Sequence, residues 1–165
     1  MRLDDMLDRC QRLEERVAAL YRSYAASTRA EPSACALWTE LAREEEEHAR
    51  SITLARSHRE ATEGWRTRLD GWEEALGEVE QCLAAGERLG GDASTAQRLS
   101  MGLDLEMTEL DALRHVLLAA CRRPEDDPPT AHAVRLAEAA TRLSDDPHVQ
   151  VQAALLRARA RVKVS

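Results

Sequence analysis

Apolar residues recur every three or four positions over most of the chain, which is the period of amphipathic helices. The first stripe predicts a helix over residues 3–29, and the second predicts a helix that begins at Pro32 and ends before Gly64. We expect these two helices to pack antiparallel. A third stripe runs from Trp65 to Leu83 and also predicts a helix, although glycines within it weaken the helical propensity.

The segment "LGGD" separates this third stripe from the next one. Its two glycines stop a helix, and Asp92 is predicted to be the N-cap of the helix that follows. The leucine stripe of this fourth helix is the clearest in the chain and predicts that it runs to about Cys121. Because the connections are short and each stripe can share a core, residues 1–121 are predicted to form an antiparallel four-helix bundle.

The C-terminal part of the chain predicts two additional helices. The stretch "RRPEDDPP" predicts a linker at 122–129, followed by helices at about 130–143 and 147–162. Asp146 is expected to cap the second of these, whose first turn contains a proline. Residues 130–165 should pack on the bundle or on a second subunit, as in a homodimer, because their apolar residues would otherwise be exposed.

The composition fits a helical protein and limits the possible partners. The 165 residues suit one domain, and 44% are hydrophobic although Phe is absent. A net charge of −7 argues against nucleic acid as a partner. No stretch is apolar enough for a membrane span or a leader, so we expect no membrane partner and a cytoplasmic protein. The four cysteines form no CxxC pair, which excludes a zinc knuckle or a rubredoxin-type iron site built from local pairs.

The segment "WTELAREEEEHARSI" places four consecutive glutamates inside the second helix. Four helical residues turn through about 300°, so they cannot all face water when the flanking stripe is apolar. The stripe places Glu44 or Glu45 inward, with Glu46 and Glu47 on the outer side. Glu45 and His48 have the Glu-x-x-His spacing by which di-iron bundle proteins present a carboxylate and an imidazole to one metal. The alternative is a solvated acidic face with a half-buried histidine.

Two more helices bring glutamates to an apolar face. Glu14 borders the stripe of the first helix, whereas Glu15 points to solvent. Glu106 lies inside the stripe of the fourth helix, with Glu109 one turn further on. An isolated buried carboxylate is costly, so such groups are normally paired, protonated or bound to a cation. Each of them could instead be a boundary residue that reaches out to an arginine.

The segments "EERVAALYRSYA" and "LWTELAREEEEHA" resemble the first two helices of rubrerythrin-like proteins in the ferritin-like superfamily. The segment "AQRLSMGLDLEMTEL" resembles a later helix of that family. The residues that match the family's pattern in order and approximate spacing are Glu14, Tyr21, Glu45, His48 and Glu106, with Glu109 as a further candidate. The resemblance implies a ferritin-like bundle around two irons, whose members reduce peroxide, oxidise iron or activate oxygen.

The resemblance also implies a ligand set, from which this chain departs. The candidate metal ligands are Glu14, Glu45, His48, Glu106 and Glu109, which suit iron, as a di-iron centre, or another divalent transition metal. A second Glu-x-x-His is missing from the sequence. We expect three other histidines, all near helix ends, to be solvated: His58, His132 and His148. Without a rubredoxin-type site, a redox role would need an external electron donor.

Two functions remain open at this point. The first is a rubrerythrin- or ferritin-like metal-binding protein that handles iron, oxygen or peroxide through its carboxylate and histidine ligands. Its site would be either a single-metal remnant or a di-metal site with an unusual ligand set. The second is a metal-free interaction module that retains the scaffold after losing the site. Metal content separates the two functions, and the sequence alone assigns no enzymatic reaction.

Overall fold

A computed structural model describes residues 3–57, 72–112 and 128–161 of the chain. In these ranges the chain forms helices and no strand, so the all-α prediction is confirmed. None of the described helices has an apolar stretch of the length that crossing a membrane requires. The six helices are α1 (Leu3–Ser27), α2 (Pro32–Ser57), α3 (Trp72–Glu87), α4 (Thr95–Ala112), α5 (Pro128–Leu143) and α6 (Pro147–Ala160).

Helices α1 and α2 form an antiparallel pair joined by a short turn. The backbone N–H and the hydroxyl of Thr28 both donate to the carbonyl oxygen of Tyr24, which satisfies the end of α1. Pro32 then begins α2, where its missing N–H costs nothing. Tyr24 near the end of α1 contacts Trp38 near the start of α2, and Glu14 lies beside His48. The predicted antiparallel packing is therefore confirmed.

Helix α3 packs against α1 through two ion pairs. Arg9 binds Glu80 and Arg16 binds Glu87, each across a sequence separation of 71 residues. A constant separation means that the two helices run parallel. The segment 65–71, which was predicted to begin this helix, lies outside the described residues.

Helix α4 begins later than its sequence predicts. The Ser94 hydroxyl accepts from the backbone N–H of Gln97 at 3.2 Å, and the Gln97 side chain accepts from the N–H of Ser94 at 2.8 Å. This reciprocal pair is a capping box. Asp92 lies in the preceding turn, so the prediction that Asp92 is the N-cap is wrong. The predicted end of this helix near Cys121 lies outside the described residues.

The two C-terminal helices pack against the rest of the chain. Helix α5 contacts α2 and α4, and α6 contacts α4 and α5. Helix α5 begins at Pro128, inside the segment predicted as a linker, because prolines are tolerated in a first turn. The rest of that linker lies outside the described residues. The predicted cap of α6 is confirmed, since the Asp146 side chain accepts from the N–H of His148 at 2.8 Å.

A layer of buried aromatic rings lies where α1, α2 and α4 meet. The Trp38 ring centroid is 5.3 Å from that of Tyr21 and 5.2 Å from that of Tyr24. Helix α4 approaches this layer closely at Gly102, where an added Cβ would lie 3.0 Å from Trp38 Cη2. These contacts fix how α1, α2 and α4 face one another and thereby position the polar cluster described next.

Candidate metal centre

The four consecutive glutamates of α2 divide between the core and the solvent. Glu44 is 8% exposed and Glu45 is 1% exposed, whereas Glu46 is half-buried and Glu47 is exposed. The stripe predicted that Glu44 or Glu45 faces inward, and both do. The buried arc is wider than one stripe because α2 packs against α1 on one side and α5 on the other. His48, one turn after Glu44, is also buried.

One group of ligand atoms lies between α1 and α2. The Nδ1 atom of His48 is 2.9 Å from Oε2 of Glu45 and 3.5 Å from Oε2 of Glu14. Glu14 is 1% exposed, and the described residues give neither of its carboxylate oxygens a hydrogen-bond partner. Three potential ligands thus converge, each with a ligand atom within 4.8 Å of the other two.

A second group lies where α2, α4 and α5 meet. The Nε2 atom of His132 is 2.8 Å from Oε1 of Glu106 and 2.9 Å from Oε1 of Glu45. These three residues also have ligand atoms within 4.8 Å of one another. Glu45 therefore belongs to both groups, and the rings of His48 and His132 lie with centroids 5.6 Å apart.

Further side chains adjoin the two groups. The Tyr21 hydroxyl donates to Oε1 of Glu106 at 2.7 Å. Glu109 is buried one turn beyond Glu106, and the described residues provide no hydrogen bond to its Oε1. On the other side of His132, the Nδ1 atom lies 2.7 Å from Oε2 of Glu44, whose second oxygen accepts from Arg135. The cluster is thus surrounded by polar contacts from α1, α2, α4 and α5.

Burial makes two of the carboxyl groups hold their protons. Desolvation raises the pKa of Glu14 to about 8, and the charge of Glu45 adds to this, although His48 opposes it. Desolvation also raises the pKa of Glu109 well above its usual value, with further contributions from the charges of Glu45 and Glu106. The ionised form of each is costly because there is not enough positive charge beside it.

The pKa values of the two histidines are also raised, whereas that of Glu45 is lowered. Burial alone would lower the pKa of His48, but the contacts with Glu45 and Glu14 and the charges of both together outweigh burial and raise the pKa to about 10. The pKa of His132 is likewise raised well above its usual value by Glu106 and Glu45 despite burial. Burial would raise the pKa of Glu45, yet the two imidazoles hold it well below its usual range. In the metal-free chain, protonated His48 and His132 therefore supply positive charge that compensates the buried carboxylates.

The donor set fits two transition-metal ions. Carboxylate oxygens and imidazole nitrogens suit first-row metals such as iron, manganese and zinc, whereas calcium and magnesium prefer oxygen alone. Both carboxylate oxygens of Glu14 and Oε1 of Glu109 are buried and have no hydrogen-bond partner among the described residues, so each could serve as a ligand atom. Arranged around the shared Glu45, the candidate donors are Glu14 and His48 on one side and Glu106 and His132 on the other, and Glu109 interacts electrostatically with members of both groups.

The structure brings the candidate ligands together and adds a histidine that was not predicted to lie among them. Glu14, Glu45, His48 and Glu106 converge, and Glu109 adjoins them. The expectation that His132 is solvated is wrong, since it is 1% exposed at the centre of the cluster.

A search for a second Glu-x-x-His motif could not find His132, because the residue three positions before it is Pro129 and not a glutamate. A signal was nevertheless present in the helix periodicity. His132 shares a stripe with Leu136 and Ala140, which lie four and eight residues further on and are both buried. His148 is exposed, as expected, whereas His58 lies outside the described residues.

No protein-family model matches the chain, and comparisons with curated proteins and with solved structures give no match either. Any assignment of function therefore rests on the residues of the cluster and their geometry.

Proposed function

We propose that this chain is a ferritin-like metal-binding protein that holds two divalent transition-metal ions, with iron as the expected metal. The observation that carries the proposal is the position of Glu45, which belongs to two carboxylate–histidine groups at once. A carboxylate shared between two such groups, inside a helical bundle, is the arrangement by which di-iron carboxylate proteins hold their metals.

Charge balance supports a pair of divalent ions. Of the five buried carboxylates in the cluster, Glu44 is balanced by Arg135, and the other four, Glu14, Glu45, Glu106 and Glu109, face the imidazoles of His48 and His132. If all four carboxylates were ionised, two imidazolium charges would leave a net charge of −2 in the core. Two divalent cations with neutral imidazoles would bring the same cluster to zero. Because uncompensated charge in a core is costly, bound metal is the state in which every carboxylate can ionise.

The proposed ligand set is unusual in where its second histidine comes from. Helix α2 supplies Glu45 and His48 at the Glu-x-x-His spacing, but α4 supplies Glu106 and Glu109 and has no histidine at the matching place. His132 of α5 completes the second group instead. The set therefore contains four glutamates and two histidines, as in the di-iron carboxylate proteins, with the second histidine contributed by a separate helix.

Iron bound here would supply oxygen or peroxide chemistry, and the protein would position and shield it. Tyr21 donates a hydrogen bond to Glu106, and the aromatic layer beside it keeps water away from that side of the cluster. An external electron donor would supply any electrons, because no cysteine pair in the sequence can form a rubredoxin-type site.

Metal content and two neighbouring variants test this proposal. The parent protein, stripped with a chelator and loaded anaerobically with Fe(II), should retain about two ions per chain after desalting. His48→Ala should retain no more than one, because it removes a buried ligand. Glu47→Ala is the matched control, since Glu47 is exposed and pairs with Arg43; it should retain two. A parent protein that retains no transition metal would contradict the proposal and favour a metal-free scaffold.

A further inference from the structure

His132 is held by both of its ring nitrogens. Its Nε2 atom faces Glu45 and Glu106, the proposed metal ligands, while its Nδ1 atom lies 2.7 Å from Glu44. Glu44 belongs to neither ligand group. It is fixed in turn by Arg135, whose guanidinium group donates to its other carboxylate oxygen. A chain of polar contacts therefore runs from the centre through Glu44 to Arg135, whose side chain is 43% exposed.

A carboxylate in this position controls how an imidazole meets a metal. By accepting a hydrogen bond from Nδ1, Glu44 keeps the proton on that nitrogen, so the lone pair of a neutral His132 is on Nε2. Nε2 is the nitrogen that faces the other proposed ligands. The contact also fixes the orientation of the ring and increases its basicity as a ligand. Arg135 holds Glu44 in place, because its guanidinium group donates to the carboxylate oxygen that does not face His132.

The described residues give the other half of the centre fewer contacts of this kind. The described residues provide no hydrogen bond to Nε2 of His48, whose Nδ1 atom faces Glu14 and Glu45. Neither oxygen of Glu14 has a hydrogen-bond partner there, whereas Glu106 accepts a hydrogen bond from Tyr21. Hydrogen bonds therefore fix the orientation of His132 and Glu106 before metal binds, whereas fewer described contacts fix His48 and Glu14.

We propose that the two halves bind metal unequally, and that the half made of Glu45, Glu106 and His132 fills first because Glu44 and Arg135 position His132. Glu44 is thus a positioning residue and does not itself bind metal. The inference rests on the two-metal function proposed above. Loss of a hydrogen bond between a metal ligand and a residue that does not itself bind the metal typically lowers metal affinity by about 10- to 100-fold. A difference of this size is large enough to separate the binding of the first ion from that of the second.

Titration of the chelator-stripped chain with Co(II) tests the order of filling, with visible absorption reporting the coordination at each step. The parent should bind in two steps. The first step, called the tight step, has the higher affinity and fills the half that contains His132; the second is the weaker step. His48→Ala should keep the tight step, and His132→Ala should lose it. Two equal steps in the parent, or a tight step that disappears in His48→Ala and survives in His132→Ala, would overturn this inference while leaving the two-metal function intact. Failure of the parent to bind Co(II) would instead overturn the proposed function.

Variants of two glutamates on the same helix test the role of Glu44. Glu44→Gln should weaken the tight step by about 10- to 100-fold and leave the weaker step unchanged. Glu46→Gln is the matched control, because Glu46 pairs with Arg22 and Arg50 on the outer face; it should change neither step. Equal titrations for the two variants, or equal weakening of both steps in Glu44→Gln, would overturn the positioning role.

Arg135→Met provides a second test in case Glu44→Gln is poorly folded, since Arg135 is largely at the surface. It should weaken the tight step in the same direction by a smaller factor, because Glu44 remains in place but loses the charge that fixes it. An unchanged tight step in Arg135→Met would exclude the proposed contribution of Arg135.

Discussion

At the scale of single residues, Glu14 and His48 hold protons that the unfolded chain would release. Burial raises the pKa of Glu14 from 4.5 to about 8. The neighbouring carboxylates raise that of His48 from 6.5 to about 10. Both folded pKa values are higher than the unfolded ones, so the stability that these groups contribute is present at low pH and lost as pH rises.

The metal-free protein should therefore lose stability as pH rises from about 6.5 to about 10, the window set by the two pKa values of His48. A bound cation replaces these protons, so the loaded protein should lose less over the same window. Thermal unfolding followed by circular dichroism, in chelator and in Co(II), measures both trends. Parallel curves for the two forms would show that these residues do not exchange protons for metal.

At the scale of helices, α3 contains two glycines with opposite surroundings. An added Cβ at Gly77 would meet nothing within 4 Å. At Gly86 it would lie 2.9 Å from Leu20 Cδ2 and 3.2 Å from the Tyr24 hydroxyl oxygen. At Gly86, α3 thus packs closely against α1, and the carbonyl oxygen of Gly86 also accepts a hydrogen bond from Tyr24.

This contrast predicts opposite effects of the same substitution within one helix. Gly77→Ala should raise the free energy of unfolding by roughly 0.5–1 kcal/mol, because alanine lowers the conformational entropy of the unfolded chain. Gly86→Ala should lower it, because the added methyl group would push α3 away from α1. Urea unfolding of the two variants measures both changes. A stabilising Gly86→Ala would mean that the two helices do not pack this closely.

At the scale of the whole molecule, the cluster connects α5 to the rest of the chain. His132 reaches Glu45 on α2 and Glu106 on α4, so ligands from three helices would bind one ion. Helix α3 contributes no described residue to either ligand group. Metal binding should therefore restrain α5 far more than α3.

Hydrogen exchange provides the measurement of this difference. Addition of Co(II) to the chelator-stripped protein should slow amide exchange in residues 128–143 more than in residues 72–87, which serve as an internal control. The difference should disappear in His132→Ala, because that variant loses the connection between α5 and the metal. Equal slowing in both segments of the parent would mean that metal stabilises the fold as a whole without holding α5.

The periodicity of the sequence was sufficient to predict the helices and the inward glutamates. Whether a residue faces the core of an amphipathic helix depends on neighbours three and four positions away. Local spacing placed Glu44 or Glu45 and His48 inward, Glu106 inside its stripe and Glu14 at the border of its own, and all five residues are buried. The same reasoning placed Asp146 at the start of α6, because capping is also a local interaction.

Only the tertiary structure determined which helices surround the cluster. His132 and Glu44 are 88 residues apart, and no local pattern indicates that α5 packs against α2 beside them. The contact depends on side-chain packing between helices that are distant in sequence, as does the sharing of Glu45 between two histidines. The periodicity of α5 could have shown that His132 faces inward, but its contacts with Glu44, Glu45 and Glu106 and the ion pair with Arg135 depend on long-range packing, which the sequence does not reveal.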